Sequence, residues 1–185
     1  PHKELYNKIS FTLEDDVHCA FIGTNGTGKS TLVNMILHPD KYLYDGKLIV
    51  VSPNTKDFQP NLEEFAEKIT ARTKAVIINT PNNPTGVIYS DETLTRLADI
   101  LRAKSTELGT EIVLISDEPY RELAYGGVEV PFVTKYYHNA VVGYSYSKSL
   151  SVPGERIGYV VIPDEVDDSA ALIGAATIAN RVIGC

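Results

Sequence analysis

Short stretches of this 185-residue sequence combine residue types that can do chemistry. The first, Gly23-Thr24-Asn25-Gly26-Thr27-Gly28-Lys29-Ser30, satisfies G-x-x-x-x-G-K-[ST] and lies between the apolar run Cys19-Ala20-Phe21-Ile22 and a helical pattern. Its glycines let the backbone curl so that several N–H groups converge, and the helix start adds partial positive charge. Extended to Thr31, the turn predicts a phosphate cradle. Lys29 would meet the outer phosphates and Ser30 would ligate magnesium, with Mg-ATP or another phosphate as the ligand. Three further motifs follow in order: Asn82-Asn83-Pro84-Thr85-Gly86, Ser116-Asp117-Glu118-Pro119-Tyr120, and Ser145-Tyr146-Ser147-Lys148 with Arg156-Ile157-Gly158 beyond it. The first three-motif members each follow an apolar run, which places polar groups at the carboxyl edge of a sheet. A lysine among polar or cationic groups can form a Schiff base with an aldehyde. A carboxylate facing a pyridine nitrogen keeps that nitrogen protonated and turns the ring into an electron sink. Pyridoxal phosphate needs this arrangement.

Taken singly, each motif has a plainer reading. Asn83–Gly86 could be a turn, Asp117 a cap, Lys148 a solvated lysine and Arg156 a structural ion-pair residue. Gly23–Gly28 could be a glycine turn before a helix cap. Their order and their placement at strand ends favour a site.

The elements that must position them are strands and helices in alternation. Apolar runs predict strands at Lys8–Leu13, Val17–Ile22, Lys47–Ser52, Lys74–Asn79, Glu111–Ser116, Ala140–Ser145 and Arg156–Ile162. Helical patterns occupy Lys29–Leu37 and Asn61–Thr70, the latter with Asn61 as cap and Leu62, Phe65, Ala66 and Ile69 on one face. Ser90-Asp91-Glu92 opens the longest helix, with Leu94, Leu97, Ala98 and Leu101 as its stripe and Gly109 as its stop. Asp164–Ile183 predicts a final helix with an acidic first turn. The fold class is therefore α/β, a three-layer α/β/α sandwich with a mainly parallel sheet. Arg156–Ile162 should run antiparallel, because it returns after the lysine loop with no helix between.

Two resemblances attach to these motifs. Residues 3–47 resemble the start of the ATP-binding cassette ATPases, through Lys8–Leu13, the acidic turn after it, Phe21–Leu32 and Asp45-Gly46-Lys47-Leu48. No Leu-Ser-Gly-Gly-Gln-like signature follows, Gln59 reads as a surface glutamine, and Tyr6 is a weak substitute for an adenine-stacking aromatic. From about Lys47 to Cys185 the chain resembles the class I/II, fold-type I aminotransferases. That resemblance implies Asn83 and Tyr120 on the phenolic oxygen of pyridoxal phosphate and Asp117 on its pyridine nitrogen. It further implies Lys148 as Schiff-base lysine and proton shuttle, Ser145 and Arg156 on the cofactor phosphate, and Ser147 as a further contact. The run Ile112–Pro119 also imitates the magnesium-binding strand of the cassette ATPases, but Tyr120-Arg121-Glu122-Leu123 and the downstream lysine motif favour the aminotransferase frame. The two segments, 1–47 and 48–185, would form one domain joined near Asp45–Leu48, as in a chimera or recombined fragment.

Composition bounds the partners. Seventeen Lys+Arg against 24 Asp+Glu give a net charge of -7, a poor match for nucleic acid or a membrane surface. No apolar stretch approaches the ~20 residues of a spanning helix. Cys19 reads as a buried thiol, and the parent proteins are expected in a reducing cytoplasm. The aminotransferase resemblance also implies a smaller domain, a stacking aromatic and a dimer partner, none identified here; Tyr42 and Tyr44 read as packing or surface residues. The expectation is a domain that binds a small phosphorylated ligand with little or no transamination. The alternatives are a Mg-ATP-binding module and an engineered fold with no ligand.

Overall fold

The computed structural model describes residues 49–183. Within them the order is α1 (Leu62–Lys68), β1 (Ala75–Asn79), α2 (Asp91–Leu108), β2 (Val113–Asp117), β3 (Ala140–Ser145), α3 (Tyr146–Ser149), β4 (Gly158–Val161) and α4 (Ser169–Ile183). The strands Lys8–Leu13 and Val17–Ile22, the helix Lys29–Leu37, the phosphate motif Gly23–Thr31, and Tyr6, Cys19, Tyr42, Tyr44 and the join at Asp45–Leu48 lie outside the described residues.

Helix α2 forms where its signals place it. The Ser90 side chain accepts the Thr93 N–H at 3.1 Å, and Asp91 and Glu92 occupy the positive first turn. Leu94, Leu97, Ala98 and Leu101 fall on one stripe and are buried. Gly109 ends the helix at φ 60, donating its N–H to Ser105; that left-handed conformation is why a glycine stands there. Asn61 caps α1 by accepting the Glu64 N–H at 3.0 Å.

The sheet has the order β1-β2-β3-β4. β1, β2 and β3 are parallel neighbours, and β4 pairs antiparallel with β3, so the mixed α/β fold and its one reversed strand are as expected. Val76, Ile78, Leu114, Ala140 and Val142 join Leu62, Phe65 and the α2 stripe in one buried core. Strand pleating puts Ile77 and Ile115 on the opposite face, where they are half-buried among the described residues.

β2 and β4 are shifted or trimmed relative to the expected Glu111–Ser116 and Arg156–Ile162, and the four-residue helix α3 stands in the lysine loop where no helix was expected; two further differences are larger. Residues 49–52 do not form the strand foreseen at Lys47–Ser52. Beyond them Pro53 makes an isolated bridge with Pro60, and Ser52 is held from α1, its N–H donating to Glu64 Oε2 at 3.0 Å. Proline has no N–H to extend a ladder, so helix side chains take up the backbone groups instead. The final helix starts at Ser169 with no acidic first turn, five residues after Asp164. Val166 is buried and its N–H bonds the Pro163 carbonyl at 3.1 Å. The Asp167 N–H bonds Asn139 Oδ1 at 3.3 Å, and Asp168 adopts φ 53. Anchoring at Val166 and a left-handed residue together interrupt the helical path.

Candidate cofactor site

The sheet register assembles the site. Asn79 and Asp117 are aligned at the ends of β1 and β2, beside Gly143 of β3, and both side chains lie on the face away from the buried core. Asn79 is buried and organises its neighbours. Its Nδ2 donates to the Asp117 carbonyl at 2.9 Å and to Asp117 Oδ2 at 3.3 Å. Its Oδ1 accepts from Asn82 Nδ2 at 3.1 Å and from the Asn83 N–H at 3.3 Å. Asn82 Oδ1 in turn accepts from the N–H and hydroxyl of Thr85 at 3.2 and 2.8 Å. Gly86 closes this turn at φ 71, its N–H on the Asn82 carbonyl at 2.8 Å.

That turn presents Asn83 outward. Asn83 Nδ2 lies 3.1 Å from Tyr120 Oη, across 37 residues of sequence. The Tyr120 ring has Lys148 Nζ 5.6 Å from its centroid, and Lys148 is exposed. The first, second and third downstream motifs therefore meet at one sheet edge. Ser145 ends β3 and caps α3, its Oγ accepting the Ser147 N–H at 3.2 Å and lying 2.9 Å from Ser147 Oγ. Arg156 is exposed at φ 55, with Nη1 on the Pro153 carbonyl at 2.6 Å.

Asp117 carries a carboxyl held above its usual range, first by lost hydration and then by the neighbouring Glu118 charge. Its side chain is nonetheless open to solvent along the strand end, so hydration is only partly lost and the upward shift is a tendency rather than neutralisation. A cationic ring nitrogen set against this carboxylate would reverse the trend.

Glu118, the next residue, points into the core and is 2% exposed. It accepts from Ser116 Oγ at 2.8 Å and from Arg121 Nε at 2.7 Å. Arg121 then donates to the carbonyls of Val130 and Pro131 at 2.7 and 2.8 Å and lies 3.9 Å from the Phe132 ring centroid. Tyr120 sits between the members of this clamp. Neither Asn79 nor the clamp is visible in the motifs. An asparagine closing the apolar run Lys74–Asn79 was the one signal for the first. The clamp partners of Arg121 are carbonyls nine and ten residues away, which have no sequence signature. Gln59 is an inter-element tie rather than a surface residue: it donates to the Ile88 carbonyl at 3.0 Å and accepts from Thr93 Oγ1 at 2.7 Å.

The donor set suits pyridoxal phosphate in kind. An amine, a carboxylate, an amide–phenol pair and two hydroxyls at a helix start lie along one strand edge, and each has a chemical counterpart on that molecule. Among the described residues no group of three or more His, Cys, Asp and Glu side chains is placed to hold a metal ion. Also among them, no helix is long and apolar enough to cross a membrane.

Comparisons with known proteins bear on the family. Residues 40–182 match the model of the family described as aminotransferase class I and II. A probable aspartate/prephenate aminotransferase of Aquifex aeolicus is 35% identical over 151 residues, 78% of this chain and 37% of that protein. A crystal structure of an aminotransferase from Eubacterium rectale superposes with a TM-score of 0.78 at 44% identity, covering 99% of this chain and 42% of that one. An aspartate aminotransferase from Thermotoga maritima follows with a TM-score of 0.69 at 28% identity, over 95% of this chain and 40% of that one. The chain thus spans about a third of the length of the curated relatives it matches. These matches give no support to a cassette-ATPase segment, to nucleotide binding or to a join of two families. Over the greater part of its length, this chain belongs to the class I and II aminotransferases.

Proposed function

We propose that this chain binds pyridoxal phosphate at Lys148 as part of an enzyme that moves amino groups between amino acids and oxo acids. The observation that carries the reading is the 3.1 Å contact of Asn83 with Tyr120 beside the Lys148 amine, at the sheet edge that also ends in Asp117. When bound, the cofactor supplies an aldehyde carbon and a protonated ring that accepts electron density. Asp117 keeps a proton on the ring nitrogen by charge. Asn83 and Tyr120 donate toward a shared acceptor, the phenolic oxygen. Ser145, Ser147 and Arg156 meet the phosphate. Lys148 holds the aldehyde end and carries a proton at Nζ. The names of the relatives suggest a dicarboxylic amino acid or prephenate as substrate of the whole protein.

By itself the chain is expected to bind better than it turns over. The assigned residues hold the cofactor, and none is assigned to a substrate carboxylate. A rate needs both reactants fixed in near-attack geometry. The test is borohydride trapping with saturating pyridoxal phosphate, followed by peptide mass mapping. One adduct on Lys148, lost in Lys148→Ala and weakened in Asp117→Ala, is the expected outcome. Wild-type protein without a Lys148 adduct would end this reading.

A further inference from the structure

Lys148 rides on α3, a helix of four residues. So short a helix has no stability of its own, so its orientation is set by its attachments. The Ser145 cap holds its first turn, and the Tyr146 N–H reaches the Ile157 carbonyl at 3.1 Å. At the other end, the residue directly after the lysine, Ser149, receives a hydrogen bond from Tyr144 Oη at 2.7 Å. Tyr144 is a rigid post for that bond. It belongs to β3, is 8% exposed, stacks on Tyr159 with centroids 4.9 Å apart at 22°, and meets the edge of Tyr146 at 5.2 Å.

We infer that Tyr144 and Ser149 form a positioning pair that fixes α3, and with it the Lys148 amine, against the sheet edge. The inference rests on the reading of Lys148 as the cofactor lysine. The Tyr144 hydroxyl bonds Ser149 rather than the amine, so it acts through Ser149. A second neighbour of the same hydroxyl, Glu122, provides the competing explanation that the experiment must separate.

The test compares wild type with Tyr144→Phe, Ser149→Ala, Ser149→Thr and the Tyr144→Phe/Ser149→Ala double variant. Amide hydrogen exchange across 146–151 is read on the chain without cofactor, and the rate of borohydride-trapped labelling of Lys148 is read with it. Each single hydroxyl deletion should speed exchange in that segment about three- to tenfold and slow labelling by a similar factor. The double variant should be no worse than either single one, since one bond is lost in all of them. Ser149→Thr, which keeps a hydroxyl, should restore both readouts. Unchanged exchange in Ser149→Ala overturns the pair, as does a double variant whose effects multiply. So does a Tyr144→Phe effect that Ser149→Ala lacks, which would assign the role to Glu122. If wild type takes no label while exchange follows the expected pattern, the cofactor reading fails and the positioning pair stands.

Discussion

In the proposed function the Asp117 carboxylate would serve a cationic ring in its ionised form, yet it is held above its ordinary range by partial burial and by Glu118. The folded chain therefore holds the Asp117 proton more tightly than the unfolded chain does. The resulting stability is fully present below about pH 3.8, the ordinary value for the group, and is lost as pH rises through the folded-state value. Asp117→Asn removes the charge and keeps an oxygen to accept from Asn79. It is expected to melt above wild type at neutral pH, with the gap closing on acidification past pH 3.8, and to lose affinity for pyridoxal phosphate. Thermal melts across pH check the first part; a gap independent of pH would remove ionisation as its cause. Stability and binding would then pull in opposite directions at one residue, as expected where a site is preorganised for a charged ligand.

At the scale of elements, the segment after β2 is held by Arg121 rather than by regular structure. Arg121 is 17% exposed and Glu118 2%, so the ion pair is largely dry. Arg121→Met would strand a buried carboxylate and release two carbonyls. A loss of about 3 kcal/mol is expected in denaturant unfolding, together with weaker trapping at Lys148 because Tyr120 is no longer fixed. A variant with wild-type stability would show that the clamp contributes nothing net. The secondary structure that frames this segment was legible in advance because its signals are local. The Asn61 and Ser90 caps, the Gly109 stop and the antiparallel return of β4 all follow from residues adjacent in sequence. What escaped was tertiary. The start of α4 depends on Val166 finding the core, residues 49–52 on Glu64 of α1, and the clamp on carbonyls that any sequence would supply. Of the expected site residues, the structure brings Asn83, Tyr120 and Lys148 together. Asn79, which wires Asp117 to the Asn82–Gly86 turn, read only as the end of an apolar run.

At the scale of the molecule, one core among the described residues supports both the helical layer and the strand ends. Leu101 is fully buried in that core beside the sheet residues. Leu101→Ala should cost about 3 kcal/mol by lost transfer energy and cavity formation. Saturating cofactor should recover part of that loss in a thermal melt, since a ligand selective for the native state stabilises it by mass action. A melt that pyridoxal phosphate does not shift would argue that the strand ends no longer form the site.

Asp117 and Glu118 are consecutive carboxylates assigned to opposite sides of the sheet, one facing open water and the other sealed beside Arg121. Only the two-residue repeat of the extended chain keeps them apart. One residue added to or deleted from β2 would exchange them, turning the water-facing acid inward and its buried neighbour out. Length is therefore a property of β2 that selection cannot relax: a codon gained or lost there would exchange the two roles in a single event.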